Sequence, residues 1–295
     1  MCSSDLALVQ PRADWNWHHT TTLTGNGPGI KSYLKNNPDD QFFTWPSGGI
    51  QLKDTVYIYC ANMKNAKSDL EGFGFAHAGV DFMAKIHFPE MNVVGYAPLQ
   101  NFDEIGFGVG FIHKEHWIYI YGQKFKGLRN DLYVARSPET QPCGPWQFWT
   151  GTQWSDSIKE IQPIANQTGI DGTFQVCWVK DRLLLVSSAL SVGCDQGKEI
   201  YTSTSTQITG PFSPRQSIYT IDDTLQGQYP FFYLAVAHPE YLGDGKDLLF
   251  TYSINGYGTC VPTCVNGRFN PDYYRLKAFR VPLTTICPSL NPPTK

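Results

Sequence analysis

The sequence of 295 residues contains no apolar run that approaches the roughly 20 residues needed to cross a bilayer. It also lacks an excess of positive charge, because 23 Lys and Arg face 26 Asp and Glu and the formal net charge is −3. Binding to nucleic acid or to an anionic membrane depends on such an excess. We therefore expect neither a nucleic acid nor a membrane among the partners of this protein.

Motifs of acyl and phosphoryl transfer are missing as well. The sequence has no Gly-x-Ser-x-Gly elbow, and no glycine-rich loop opens a helix that could hold a phosphate. No segment carries a convincing helical pattern. These absences disfavour acyl-transfer and phosphoryl-transfer enzymes and indicate an all-β protein.

The eight cysteines are too sparse for a disulfide scaffold, yet numerous for a cytosolic protein of this size. Cys260 and Cys264 lie in a loop rich in Gly and Asn, and we predict that they close a small disulfide ring. A zinc site is the alternative, but no second Cys or His pair stands nearby. Cys177 lies inside an apolar strand and is predicted to be a buried free thiol. The sequence indicates no cofactor and no metal ligands, and it leaves an axial calcium open.

The first six residues, Met1 to Leu6, resemble neither a signal peptide nor the start of a strand. Cys-Ser-Ser-Asp-Leu is what one reading frame of a common sequencing-adapter end encodes. We therefore expect residues 1–6 to be an artefactual leader on a metagenomic gene fragment. The fold is expected to occupy residues 7–295 as a single domain.

A repeat in the sequence predicts the architecture. Four strands rich in aromatic or branched residues recur at steps of 61, 66 and 65 residues, counted from Val56, Trp117, Leu183 and Leu248. A short charged turn and an apolar or small-residue run precede each of them, so each pair is predicted to form a β-hairpin. Third strands follow in residues 132–137 and 200–205. Four short antiparallel strands per repeat are typical of a β-propeller.

The repeat divides the chain into blades at about residues 40–100, 101–160, 168–222 and 229–284. Residues 7–39 are left over and are expected to hold the outer strands of a further, incomplete blade. Its inner strands would be missing or supplied from elsewhere in the chain. The sequence thus predicts a five-bladed β-propeller whose first blade is incomplete.

Five stretches of the sequence point to a family. They are residues 45–49 (WPSGG), 119–122 (YIYG), 133–146 (YVARS to GPW), 237–240 (AHPE) and 251–255 (TYSIN). Their order and spacing resemble the microbial five-bladed propellers related to endo-D-arabinanases, over residues 40–284. The resemblance implies a secreted glycoside hydrolase that acts on a furanose-rich polysaccharide such as arabinan or arabinogalactan. We expect a monomer whose partner is a polysaccharide or oligosaccharide.

Glycoside hydrolysis commonly uses two carboxyl groups that flank the scissile bond. Glu240, which ends the motif His238-Pro-Glu at the end of an apolar strand, and Glu104, which directly precedes an inner strand, are predicted to be the acid and the base, in either order. Asp171, before the next inner strand, is the third candidate. The alternatives are structural, namely a hydrogen bond from His238 to Glu240 across a blade interface, and turn chemistry at Glu104 and Asp171.

Sugar recognition needs aromatic faces beside mixed hydrogen-bond donors and acceptors. Trp45 is predicted to be a stacking platform. The other predicted substrate-binding residues lie at or near strand ends, and they are Tyr121, Gln123, His238, Tyr252, Asn255 and Tyr257. Packing is the alternative for Tyr121 and Tyr252, because side chains of a strand alternate between its two faces.

The resemblance has one gap. Members of that family usually begin with a Gly-Asp-rich inner strand and a Gly-Asp-Thr turn, which this sequence lacks. A non-catalytic, glycan-binding propeller is therefore the alternative function, and a structural or protein-interaction propeller is a third, since a fold alone does not fix a function.

Overall fold

The structure is a computed structural model, and almost all of its regular elements are strands. No helix among the described residues is long and apolar enough to span a membrane. Two short elements at the N-terminal side, β1 (Ala7–Val9) and β2 (Thr21–Leu23), form an antiparallel pair. The described residues are 7–9, 17–25, 31–37, 39, 41–67, 74–126, 129–171, 173–189, 196–225, 227–242, 245–255, 261, 264–265, 268–269 and 273–287.

The first large sheet is blade 1. Its main strands follow one another in the order β3, β4, β6, β7, and the short β5 also pairs with β4. All pairings are antiparallel. The strands are β3 (Phe42–Leu52), β4 (Thr55–Asn65), β5 (Phe75–His77), β6 (Phe82–His87) and β7 (Asn92–Pro98).

The second large sheet is blade 2. Its strands β8 to β12 are neighbours in chain order, and β13 pairs with the first residues of β10, Arg129 and Asn130. A 3₁₀ turn, Ile158–Glu160, follows its outer strands. The strands are β8 (Gly106–Lys114), β9 (Trp117–Lys126), β10 (Arg129–Pro138), β11 (Gln147–Trp149), β12 (Trp154–Ser155) and β13 (Ile170–Asp171).

Blades 3 and 4 repeat the pattern. Blade 3 has the order β14 to β17, and blade 4 has the order β18, β19, β22, with a small hairpin of β20 and β21 inserted before its last strand. The strands of blade 3 are β14 (Phe174–Val179), β15 (Arg182–Ser188), β16 (Glu199–Ser205) and β17 (Gln216–Thr220). The elements of blade 4 are β18 (Phe231–His238), β19 (Asp247–Asn255), β20 (Cys264–Val265), β21 (Arg268–Phe269), β22 (Tyr274–Pro282) and the helical turn α1 (Leu283–Ile286).

The predicted hairpins are confirmed as antiparallel strand pairs, and three of their turns share one backbone feature. Lys53, Glu115 and Lys180 each occupy the left-handed region, with φ of 55°, 59° and 53°. A tight hairpin needs such a conformation because its twist must match that of the flanking strands. The predicted third strands are also confirmed as parts of β10 and β16.

The chain divides into two compact units, residues 1–122 with 133–162 and residues 123–132 with 163–295. In the first unit, one face of blade 1 and one face of blade 2 share an apolar core that includes Tyr59, Ile120 and Trp146. In the second unit, blades 3 and 4 share a core that includes Val186 and Phe250. Alternation along each strand places these side chains on the buried face.

The all-β class and the β-propeller arrangement are confirmed, but the described residues form four blades where the sequence predicted five. Where the incomplete blade was expected, they show the β1 and β2 pair and a segment, residues 31–37, that packs on blade 1. Leu34 of this segment is 4% exposed and contacts the core of Phe82 and Ile86. The Tyr33 hydroxyl donates a hydrogen bond to the Met91 carbonyl at 2.5 Å.

Candidate functional site

Each blade has two ends, and the strand register shows which residues share an end. We call the end at which the first strand begins the leading end, and the end with the first hairpin turn the turn end. In blade 1, Thr44 near the start of β3 pairs with Asn62 of β4, and Cys60 pairs with Phe82, the first residue of β6. The leading end therefore joins the start of β3, the end of β4 and the residues just before β6.

A buried carboxylate lies at the leading end of blade 1. Asp81 is 7% exposed and accepts a hydrogen bond from the Tyr59 hydroxyl. Its Oδ1 also accepts from the backbone N–H of Asn62 at 3.2 Å and contacts His77 Nε2 at 2.6 Å. A buried carboxylate is stable only when several donors replace its lost water. Asp81 meets that condition with three.

The partners of Asp81 differ in exposure. Tyr59 is 1% exposed, and burial, followed by the nearby Asp81 charge, raises the pKa of its hydroxyl well above the usual value. This tyrosine therefore remains a neutral donor. The His77 side chain is 54% exposed and reaches solvent. The side of the site at Tyr59 is thus buried, and the side at His77 is exposed to solvent.

Three aromatic residues, Phe43, Trp45 and Phe75, lie at the same end of the blade as His77. Trp45 is 39% exposed, although it is a large apolar residue. Its ring lies edge-on to Phe75 with centroids 4.6 Å apart and to Phe43 at 6.4 Å. Phe75 belongs to β5, the strand that ends at His77. The strand register therefore places an exposed indole and a carboxylate-held imidazole at one end of one blade.

Glu104 lies at the leading end of blade 2, within the same unit. The chain enters this blade directly from the Asp81 region, since the Leu99 N–H donates to the Asp81 carbonyl at 2.8 Å. Asp103 and Glu104 then both adopt left-handed backbone, with φ of 50° and 68°. Glu104 is exposed just before β8, as expected both of a funnel residue and of a turn residue.

Glu240 lies at the other end of its blade. It follows β18 in a 3₁₀ turn, Pro239–Tyr241, beside the start of β19, whereas Tyr252 lies toward the end of β19. His238 Nδ1 contacts Glu240 Oε1 at 2.8 Å, and His238 Nε2 contacts Thr251 Oγ1 at 2.8 Å. The hydrogen bond considered as the structural alternative is therefore present, within blade 4. The structure does not bring Glu240 and Tyr252 to one end of the sheet.

Two predicted substrate-binding tyrosines are buried. Tyr121 is 0% and Tyr252 is 3% exposed. Burial raises the pKa of both hydroxyl groups, and for Tyr252 the hydrogen bond to Asp223 adds to the effect. Their burial agrees with the packing alternative. Gln123 accepts a hydrogen bond from the Phe174 N–H at 3.3 Å.

The remaining predicted positions are described less fully. Asp171 lies in β13 opposite Arg129, and Asn255 ends β19 opposite Phe231, but their side chains lie outside the described part of the structure. Tyr257 lies wholly outside the described residues, as does Cys260 of the predicted disulfide. The buried free thiol predicted at Cys177 is confirmed, and Cys60 and Cys143 are free as well.

Sequence reasoning missed Asp81, His77 and Asp223. Asp223 accepts from the Tyr252 hydroxyl and from Lys277 Nζ, the latter at 3.2 Å, at the leading end of blade 4. Each unit thus contains a tyrosine hydroxyl that donates to a carboxylate, in blade 1 of the first and in blade 4 of the second. The available signal for Asp81 was an Asp directly before a third strand, β6, whereas the sequence analysis considered such positions only for first strands. Within the described residues, no group of three His, Cys, Asp or Glu side chains could hold a metal ion.

Comparison with known protein families assigns the chain to a family. Residues 5–283 match the model of a family described as a domain of unknown function, DUF5005. The chain belongs to this family. A search of curated proteins found none that matches.

Solved structures are similar to this DUF5005 chain. A protein of Bacteroides ovatus, provisionally named a hydrolase, has a TM-score of 0.68 at 14% identity, over 93% of this chain and 75% of its own. A family 117 glycoside hydrolase of Zobellia galactanivorans has a TM-score of 0.46 at 14% identity, over 84% and 86%. An exo-1,5-α-L-arabinanase from a bovine ruminal metagenomic library has a TM-score of 0.45 at 12% identity, over 90% and 86%. The last two likenesses are weaker.

Proposed function

We propose that this protein is a glycoside hydrolase that acts on a furanose-rich polysaccharide such as arabinan or arabinogalactan. The observation that carries the proposal is the leading end of blade 1, where the strand register places the exposed Trp45 at the same end as the buried carboxylate of Asp81 and the solvent-exposed imidazole of His77. An aromatic face with a few fixed polar groups is the usual composition of a sugar-binding site. The resemblance to endo-D-arabinanase relatives supports the choice of substrate.

Glu104 fits this site better than Glu240 does. Glu104 belongs to the same unit as Trp45 and lies at the leading end of its blade, whereas Glu240 lies at a turn end. Glu104→Gln and Glu240→Gln test the two carboxylates separately. A residue whose substitution leaves the release of reducing ends unchanged has no part in the mechanism.

The function is tested by measuring reducing ends released from arabinan and arabinogalactan by the purified chain. Trp45→Ala is expected to weaken glycan affinity by roughly twofold to tenfold, since an aromatic contact is worth about 0.5 to 1.5 kcal/mol beyond the area it buries. Phe88→Ala is the matched control, because Phe88 is 42% exposed at the turn end of the same blade. Equal losses in the two variants would remove Trp45 from the site.

A non-catalytic glycan-binding propeller is the second candidate. It is favoured by the hydrogen bonds of Asp81, because this carboxylate already accepts from three donors and has little contact with solvent. This candidate predicts saturable binding of arabino-oligosaccharides without turnover, measured by calorimetry and by the reducing-end assay on the same preparation. Hydrolysis that tracks the folded protein through purification would exclude it.

The proposal extends to a five-bladed ring and an extracellular location. The packing of residues 31–37 on blade 1 supports a further blade, because Leu34 covers apolar side chains that would otherwise meet water. An extracellular location follows from a polymeric substrate. A crystal structure would count the blades, and fractionation of cells that express the gene with its own upstream region would locate the protein.

A further inference from the structure

His77 is the most unusual titratable group of the leading end. Its side chain is half-exposed, yet it contacts Asp81, whose side chain is almost fully buried. In the described part of the chain, its Nε2 is the ring nitrogen with a hydrogen-bond partner, at 2.6 Å from Asp81 Oδ1. The carboxylate therefore fixes the orientation of the ring, and Nδ1 is the nitrogen left for a substrate.

Asp81 is itself held firmly, which makes the orientation of His77 reproducible. The Tyr59 hydroxyl binds Asp81 Oδ2, and the Asn62 N–H binds Oδ1. The Asn62 side chain in turn donates to the Ala78 carbonyl at 2.6 Å, and the Ala78 N–H donates to the Asn62 carbonyl at 2.7 Å. These bonds fix the short segment between His77 and Asp81 to β4. A catalytic imidazole requires a partner that sets its position in this way.

We propose that His77 is the general acid of the hydrolytic reaction, positioned by Asp81, an inference that rests on the proposed function. The imidazolium proton passes to the glycosidic oxygen while the bond from that oxygen to the anomeric carbon breaks. A water molecule adds to the anomeric carbon and gives its proton to a carboxylate, the role that falls to Glu104. His77 then regains a proton from solvent. Asp81 and Tyr59 are positioning residues in this scheme.

A structural function for His77 is the competing explanation, and blade 1 offers a matched control. His87 lies at the turn end, where it pairs with Thr55 at the opposite end of β4 from Met63, the partner of His77. Its side chain is 45% exposed, and its Nδ1 contacts Glu90 at 2.7 Å. The two histidines thus have similar exposure and carboxylate contacts of similar length, but the partner of His87 is exposed, and they lie at opposite ends of one blade.

The experiment compares His77→Gln and His87→Gln on arabinan and on 4-nitrophenyl arabinofuranoside. The aryl leaving group departs with little need for a proton, whereas the sugar leaving group of arabinan requires one. His77→Gln is expected to lower kcat/KM on arabinan by about 10² to 10⁴, the usual contribution of general acid catalysis. It is expected to retain most activity on the aryl substrate and to lose the alkaline limb of the pH profile. His87→Gln is expected to match the wild type on both substrates.

Four outcomes would overturn the inference. Equal losses of His77→Gln on both substrates would indicate a structural function, as would a loss that follows a lowered Tm. Wild-type activity of His77→Gln on arabinan would remove His77 from the mechanism while the proposed function stands. A wild-type protein that hydrolyses neither substrate would refute the proposed function and this inference together.

Discussion

Replacing Tyr59 with Phe removes one of three donors from a carboxylate that water hardly reaches. Tyr59 is 1% exposed and Asp81 is 7% exposed, so solvent cannot replace the lost hydroxyl. A hydrogen bond to a charged group contributes about 1.5 to 3 kcal/mol to stability. Because the Asn62 N–H and His77 remain, we expect the free energy of unfolding to fall by about 2 kcal/mol. For a cooperative unit of this size, that loss lowers Tm by about 4 to 8 °C.

Urea unfolding, followed by tryptophan fluorescence, measures this change. The midpoint is expected to fall while the slope m stays constant, since the variant exposes the same surface on unfolding. Tyr119→Phe is the control, because Tyr119 is only partly buried and its ring packs against Trp154 at 5.8 Å. Its stability should stay within about 0.5 kcal/mol of the wild type.

The pH dependence provides a second test of the same contact. Burial first, and the Asp81 charge second, raise the pKa of Tyr59 in the folded protein above its value in the unfolded chain. The stabilisation is therefore complete below about pH 10, the usual tyrosine pKa, and is lost as the pH rises beyond it. Above that pH the stability gap between wild type and Tyr59→Phe should narrow by about 1.4 kcal/mol per pH unit. A variant as stable as the wild type at pH 7 would refute the reasoning.

Three further predictions concern the packing. Cys177 should resist thiol reagents in the native protein at pH 8, because burial, with a smaller contribution from the Glu240 charge, raises the pKa of its thiol to about 12. Peptide mapping of the labelled protein measures this, and rapid labelling would contradict the burial of Cys177. Gly122→Ala should destabilise the first unit, because an added Cβ would lie 2.7 Å from Phe107 and 2.8 Å from Ile105; an unchanged Tm would show that these side chains can move. Leu34→Ala should cost about 2 to 5 kcal/mol in chemical denaturation, and a smaller loss would mean that residues 31–37 contribute little to the core of blade 1.

The hairpins could be predicted because their signals are local. A period of two residues, a charged turn and a second run of the same period lie within about twenty residues, and the turns at Lys53 and Lys180 follow that pattern. The number of blades is different, since it depends on contacts between distant segments. Leu34 covers the side chains of Phe82 and Ile86, and nothing in its neighbouring sequence indicates that contact.

The candidate site was predictable only in part. Trp45 was identified because it opens the stretch Trp45-Pro-Ser-Gly-Gly and because a sugar site needs an aromatic face, whereas its exposure is known only from the structure. Asp81 and His77 escaped notice because the sequence reasoning looked for carboxylates before first strands, and Asp81 precedes a third strand. The burial of Tyr121 could not be predicted from the sequence either. Period-two alternation shows which side chains share a face of a sheet, but not which of the two faces is covered by other parts of the protein.

The position of a bound oligosaccharide tests the central claim most directly. A crystal of the protein soaked with an arabino-oligosaccharide should show a sugar ring against Trp45, with His77 within hydrogen-bond distance of a glycosidic oxygen. A sugar bound at the turn end of blade 1, beside His87 and Phe88, would contradict the account.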